Sequence, residues 1–173
     1  GSTFFIKQYG TQLPAGYPGG PPDGMGMMTM GPLDNTDFNL LQLNVVSQTI
    51  NPVTTIPSAL TTNIPYSSVG ADNFTVAITG APMMSMTNFA MNGVQYDMNV
   101  INMNTNQNKI MTWTISNQSM MPHPFHIHGN HFYVLSVNGA TPPLNMQGRK
   151  DVAVVSPMGG SLVLITRYDD FND

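Results

Sequence analysis

Short apolar runs rich in valine, isoleucine, threonine and aromatic residues recur along the chain, and glycine, proline, asparagine or aspartate closes each of them. A helical period is almost absent. This pattern predicts an all-β protein of the sandwich or barrel type. Strands are expected at residues 3–8, 38–46, 73–78, 110–116, 126–137, 151–155 and 161–167. Alternation assigns one set of side chains to the core, namely Trp113, Ile115, Phe125, Ile127, Phe132, Val134, Leu135, Leu162 and Leu164.

Two segments interrupt the pattern. Residues 14–31, "PAGYPGGPPDGMGMMTMG", are too rich in glycine and proline for a regular element and are predicted to form a loop. Residues 51–68 contain three prolines and no charge, which is typical of an extended connector. The chain is thereby divided into a leading piece, residues 1–50, the connector, and a longer trailing unit, residues 69–173.

Composition narrows the function classes. Nine acidic residues against five basic ones give a net charge of −4, and only 8% of residues are charged, so a basic surface for nucleic acid is excluded. No apolar run approaches the roughly 20 residues that cross a bilayer, so no membrane span is expected. The first residues, "GSTFFIKQYG", lack the basic start and cleavage site of a signal peptide.

Sulfur is distributed unusually. The chain has no cysteine, which excludes disulfides and a cysteine-rich zinc site within these residues. It has fifteen methionines, and clusters of them occur at Met25, Met27, Met28 and Met30 and at Met83, Met84 and Met86. Thioether sulfur is a soft ligand suited to cuprous copper, although methionine also fills irregular gaps in cores.

All four histidines lie in one segment, "HPFHIHGNH", residues 123–131. In a strand, residues two apart share a face, so His126 and His128 are expected to project from one side and to serve one shared or two neighbouring metal ions. Pro124 is expected to interrupt strand pairing, so that His123 turns toward a different centre. The imidazoles of His123, His126 and His128 would pack in a strand no better than valine or threonine, which favours a metal-binding role for them. For His131, only the general ability of its ring to bind metal favours such a role.

"HPFHIHG" followed by "FYVLSVNG" resembles the copper-binding strand in the last cupredoxin domain of multicopper oxidases, the laccase and cuprous-oxidase group. "FAMNGVQYDMN", "MTWTISNQS" and "GRKDVAVV" are similar to other segments of that domain. "GSTFFIKQYG" and "LDNTDFNLLQLNVV" are similar to the closing strands of the preceding domain. The resemblance implies a cupredoxin-like Greek-key fold, with residues 1–50 ending one domain and residues 69–173 forming most of the next.

The resemblance also implies site roles. His123 corresponds to a ligand of the type 1 copper, His126 to a ligand of the type 2 copper, and His128 to a ligand of a type 3 copper. Met121 occupies the place of a methionine that helps hold incoming Cu(I) in the cuprous-oxidase branch. Ser119 stands where an acidic residue usually accompanies that methionine.

In the family, a histidine-cysteine-histidine motif follows the segment that corresponds to "VLITRYDDFND". We therefore expect a fragment of a periplasmic or secreted copper oxidoreductase. The parent would oxidise Cu(I) or a phenol at the type 1 copper and reduce dioxygen to water at a trinuclear cluster. The 173 residues alone, without the remainder of the oxidase chain, are expected to be inactive.

Two alternatives remain at this point. The first is a non-catalytic module that uses the same histidines and methionines to sequester or deliver copper. The second is a relative that keeps the fold for a structural or partner-binding role, and the presence of His126 and His128 counts against it.

Overall fold

A computed structural model describes residues 1–22, 31–80 and 89–169. The chain divides into two compact units, Gly1–Thr62 and Asn63–Asp173, and the boundary falls inside the predicted connector. Within the described ranges the regular elements are strands, apart from 3-10 turns at Gly10–Gln12 and Leu144–Met146, so the prediction of an all-β chain is confirmed. Neither turn is long enough to span a membrane, and no other described helix exists that could do so.

The described part of the first unit contains one antiparallel pair of strands. Strand β1 (Thr3–Tyr9) pairs with β2 (Asp37–Asn44), and the register runs from Thr3 opposite Asn44 to Tyr9 opposite Asp37. Both strands lie close to where the apolar runs predict them. Their large apolar side chains stay exposed in this chain, among them Phe4, Ile6, Leu41 and Leu43.

The described residues of the second unit form two sheets. Its strands are β3 (Asp72–Thr79), β4 (Ala90–Met91), β5 (Ile110–Asn117), β6 (His123–His126), β7 (Phe132–Val137), β8 (Arg149–Lys150), β9 (Val152–Val155) and β10 (Gly160–Arg167). The larger sheet has the order β4-β3-β5-β10-β7-β8, in which β3 and β5 are parallel and the other neighbours antiparallel. The smaller sheet pairs β6 with β9. Neighbours that are not consecutive in the chain are typical of Greek-key sandwiches.

The core lies between these two sheets. Alternate side chains of β5 point inward, and Trp113 packs against Phe125 of β6 with ring centroids 5.8 Å apart. The predicted core set is buried with one exception. Leu135 is only half-buried, because Phe132 and Val134 take the inward positions of β7 and alternation turns Leu135 to the other face.

The strand predicted over residues 126–137 is confirmed from Phe132 to Val137 but is wrong for residues 127–131. Strand β6 ends at His126 and β7 begins only at Phe132, with a turn at Gly129, whose φ of +70° favours glycine. Pro124 does not interrupt pairing either, since it lies opposite Val154 inside β6. Among the described strands β6 pairs with β9 and with no other, so it is an edge strand there, and an edge strand tolerates the missing N–H of proline.

Candidate metal centre

The segment "HPFHIHG" alternates between the core and the surface. Phe125 and Ile127 are 5% and 6% exposed and belong to the core, whereas His126 and His128 are exposed. The alternation continues for two residues beyond the end of β6. The structure therefore places these two imidazoles on the outer side of the segment, although only His126 lies in a strand.

His126 and His128 lie side by side. Their ring centroids are 6.0 Å apart and their planes meet at 74°. The Nδ1 atom of His126 is 2.8 Å from the backbone oxygen of Asp151. A carbonyl oxygen only accepts hydrogen bonds, so Nδ1 carries the proton and Nε2 keeps the free electron pair. Such a second hydrogen bond is the usual support of a metal-binding imidazole, and the donor set therefore fits copper.

His123 has a different environment. It shares its strand face with Phe125, is half-buried, and its ring meets that of Phe89 edge-on at 5.1 Å between centroids. Burial lowers the pKa of His123 below its ordinary value of 6.5, because a low-dielectric surrounding disfavours the charged ring. Its Nε2 atom is 2.8 Å from the hydroxyl oxygen of Ser119. A neutral, anchored imidazole at this position fits copper as well.

A cavity of about 460 Å³ adjoins the histidines. His123 and His126 both contribute to its lining, so these two residues border one space. The other lining residues are mostly apolar and include Phe74, Val76, Phe89, Trp113 and Phe125. Within the described ranges, Trp113 Nε1 is the buried side-chain nitrogen or oxygen that lacks a hydrogen-bond partner.

The remaining sequence candidates lie apart from this arrangement or outside it. His131 is exposed, and its backbone N–H donates to Asn130 Oδ1 at 2.7 Å. Met121 is half-buried in the loop before β6. The methionine clusters at residues 25–30 and 83–86 lie outside the described residues. Among the residues that are described, no three His, Cys, Asp or Glu side chains converge on a single metal position.

Sequence reasoning missed a buried polar pair behind His123. Asn117 is fully buried and Ser119 is 4% exposed, and the two are hydrogen-bonded to each other. The sequence does carry one signal for Asn117. It continues the inward series of β5 after Trp113 and Ile115, where an apolar residue is expected, so a polar side chain there must have buried partners.

Comparisons with known proteins agree with the resemblance. The sequence pattern that defines the multicopper oxidase family matches residues 68–171. The multicopper oxidase mco of Staphylococcus aureus is 45% identical over 74 residues, which are 40% of this chain and 17% of that protein. The corresponding protein of Staphylococcus haemolyticus is 43% identical over 74 residues, with the same coverage. The chain thus spans a small part of the length of these relatives.

Solved structures agree on the fold. McoA multicopper oxidase from the hyperthermophile Aquifex aeolicus superposes with a TM-score of 0.61 at 23% identity, over 81% of this chain and 32% of that one. A multicopper oxidase from Campylobacter jejuni, described as a metallo-oxidase, gives a TM-score of 0.57 at 20% identity, over 97% of this chain and 35% of that one. The predicted cupredoxin-like fold is therefore confirmed.

Proposed function

Because the chain belongs to the multicopper oxidase family, we propose that it is the histidine-bearing part of a copper-dependent oxidase. The whole protein oxidises a small reducing substrate and reduces dioxygen to water. The chain covers 17% of the length of the Staphylococcus aureus relative, so we assign this activity to a longer protein and not to these residues alone.

The observation that carries the proposal is the arrangement of imidazoles on "HPFHIHG". Two exposed rings lie 6.0 Å apart, and the backbone of Asp151 fixes the proton of the first. We assign His126 to the type 2 copper, His128 to a type 3 copper, and His123 to the type 1 copper. Copper at these positions supplies one-electron redox chemistry between the substrate and dioxygen.

Strand β6 fixes the position of His123, assigned to the type 1 copper, relative to His126, assigned to the type 2 copper. His123 and His126 are the first and last residues of β6, and every residue of β6 is paired with β9. Phe125 between them is anchored in the core. A strand held in this way keeps the His123 ring and the His126 ring in a constant relation, which suits electron transfer between neighbouring centres.

Cu(I) and phenols are the proposed electron donors. Met121 precedes His123 by two residues and is half-buried, and we assign its thioether to the binding of substrate Cu(I). A relative from Ochrobactrum sp., 24% identical, is described as acting on lignin model compounds and lignosulfonate, which supports phenols as the other class. A periplasmic or secreted location is part of the same proposal.

The decisive test compares the complete gene product with the 173-residue chain after copper loading. The complete protein should absorb as a blue copper protein and consume dioxygen with Cu(I) or a phenol. The 173-residue chain should do neither, because it has no cysteine to supply a thiolate. His126→Ala in the complete protein should abolish oxygen consumption, whereas His131→Ala should retain it.

A complete protein that binds copper but never consumes dioxygen would contradict the proposal. That result would instead support a module for copper sequestration or delivery.

A further inference from the structure

The buried polar pair behind His123 is fully hydrogen-bonded. Asn117 Nδ2 donates to the carbonyl oxygens of Met121 at 2.7 Å and Val155 at 3.3 Å. Asn117 Oδ1 accepts from the backbone N–H of Ser119 at 2.9 Å and lies 2.7 Å from the Ser119 hydroxyl. The amide therefore connects the end of β5, the loop into β6 and the end of β9. A side chain with this many partners has one position available to it.

The Ser119 hydroxyl has a restricted choice of hydrogen-bond roles. Its oxygen lies 2.7 Å from Asn117 Oδ1, 2.9 Å from Met121 O and 2.8 Å from His123 Nε2. The first two atoms accept hydrogen bonds and cannot donate, and a hydroxyl has one proton. If that proton went to His123, the hydroxyl oxygen would lie 2.7 and 2.9 Å from two other oxygens with no proton between them, and contacts that short between acceptors are repulsive. The proton is therefore directed to Asn117 or Met121, and toward His123 the hydroxyl accepts.

We propose that Ser119 is a positioning residue, which holds the His123 ring in the tautomer with its proton on Nε2 and so presents the Nδ1 electron pair as the copper ligand. The assignment of Nδ1 as a copper ligand rests on the proposed function, whereas the tautomer of the His123 ring follows from the hydrogen-bond geometry alone. An imidazole with an undefined tautomer would present the metal with the correct nitrogen only part of the time.

The backbone around Ser119 keeps the hydroxyl from following the ring. The carbonyl oxygen of Ser119 accepts from the N–H of Met158 at 2.8 Å, and that of Asn117 accepts from Gly159 at 2.7 Å. Ser119 is thus fixed through its N–H, its carbonyl and its side chain. The arrangement is complete without metal, so the His123 ring is oriented before copper arrives.

The tautomer is measured directly by long-range proton–nitrogen NMR correlation of the histidine rings. The full 173-residue chain is studied without metal at about pH 8, where an ordinary imidazole is neutral. In the wild type, Nε2 of His123 should carry the proton and Nδ1 should show the shift of a bare nitrogen. In Ser119→Ala the ratio of the two tautomers should fall by about fivefold, which corresponds to the loss of one hydrogen bond. Ser119→Thr keeps the hydroxyl and should restore the ratio.

Ser136→Ala is the matched control, because Ser136 lies on β7 in the other sheet and its side chain has no hydrogen-bond partner among the described residues. It should leave the His123 tautomer unchanged. A wild-type ring protonated on Nδ1 would overturn the role of Ser119, and that measurement needs no variant to fold. An unchanged tautomer ratio in a folded Ser119→Ala chain would overturn it equally.

A titration with Cu(I) tests the positioning role of Ser119 separately from the proposed function. Anaerobic Cu(I), which is diamagnetic, is added to the same labelled chains, and the ring nitrogens of His123 are followed. Cu(I) should shift Nδ1 in the wild type and bind there about fivefold more weakly in Ser119→Ala. If Cu(I) left the wild-type ring unaffected, the assignment of His123 to copper would fail. If Cu(I) bound at Nε2, the presentation of Nδ1 by Ser119 would fail.

Discussion

Replacement of Asn117 by alanine removes the centre of the polar cluster behind the histidines. Asn117 is fully buried and makes four hydrogen bonds, to Met121 O, Val155 O, Ser119 N and the Ser119 hydroxyl. Alanine at this position cannot replace any of them. Met121 O keeps one alternative donor, because the Ser119 hydroxyl lies 2.9 Å away.

The magnitude follows from the groups that stay unpaired. After that rearrangement, the Ser119 N–H loses its amide acceptor, and the Val155 carbonyl, which is paired with β6, loses one hydrogen bond of 3.3 Å. Each buried polar group left without a partner costs about 1 to 3 kcal/mol. The deleted amide also leaves a small cavity in a packed interior. We therefore expect Asn117→Ala to lower the free energy of unfolding by about 3 kcal/mol.

Urea unfolding measures this value, and Trp113 reports it, since it is the single tryptophan of the chain and lies in the core of the second unit. Asn99→Ala is the control, because Asn99 is exposed and, within the described part of the chain, its side chain donates to Asp97 alone, two residues away. It should change stability by less than about 0.5 kcal/mol. A loss of under about 1 kcal/mol in Asn117→Ala, with an unchanged denaturant slope, would refute the reasoning.

Three further predictions concern the histidine segment itself. Burial lowers the pKa of His123, so below about pH 6.5 the unfolded chain binds more protons than the native chain. The free energy of unfolding should therefore fall as the pH drops through this range. Urea titrations at several pH values should show a smaller decline for His123→Gln than for the wild type. A slope unaffected by His123→Gln would disprove this. Phe125→Ala should cost about 3 to 5 kcal/mol in the same assay, since the ring is 5% exposed, and a cost below 1 kcal/mol would mean that the two sheets are not packed through it. Replacing His126 and His128 by alanine should weaken Cu(II) binding in calorimetry by at least about tenfold with little change in stability, whereas His131→Ala should bind Cu(II) like the wild type.

Strand β5 could be predicted because its apolar residues alternate with threonine and serine, and β10 because four consecutive apolar residues, 162–165, follow the two glycines at 159–160. The histidine segment was predicted less well, although its alternation is just as regular. Alternation reports an extended backbone and a buried side, but it does not report whether a partner strand is present. The last pair between β6 and β9 joins His126 to Val152. Ile127, the next residue, lies outside the strand but is buried, and its N–H still donates to the Asp151 carbonyl at 3.3 Å, so the alternation extends past the end of the strand together with one more backbone hydrogen bond.

The polar cluster shows a different limit of sequence reasoning. The position of Asn117 on the inward face of β5 follows from its offset to Trp113, but its partners do not. Val155 is 38 residues from Asn117 along the chain, and the pairing of β9 with β6 places its carbonyl beside the Asn117 amide. The tautomer of the His123 ring is inferred from the single proton of the Ser119 hydroxyl and from three distances between that hydroxyl and its neighbours. Residue types alone do not give those distances.

The sequence spacing of the histidines places them in two different environments. Three residues separate His123 from His126, and an odd offset places two residues of an extended strand on opposite faces. His123 therefore lies on the same side as Phe125, where partial burial lowers the pKa of the ring. His126 and His128 are two apart and are both exposed, although His126 also borders the cavity that His123 lines. In the proposed oxidase this separation matches two chemistries, because an electron-transfer copper benefits from a dry surround, whereas a dioxygen-reducing centre must admit oxygen and release water.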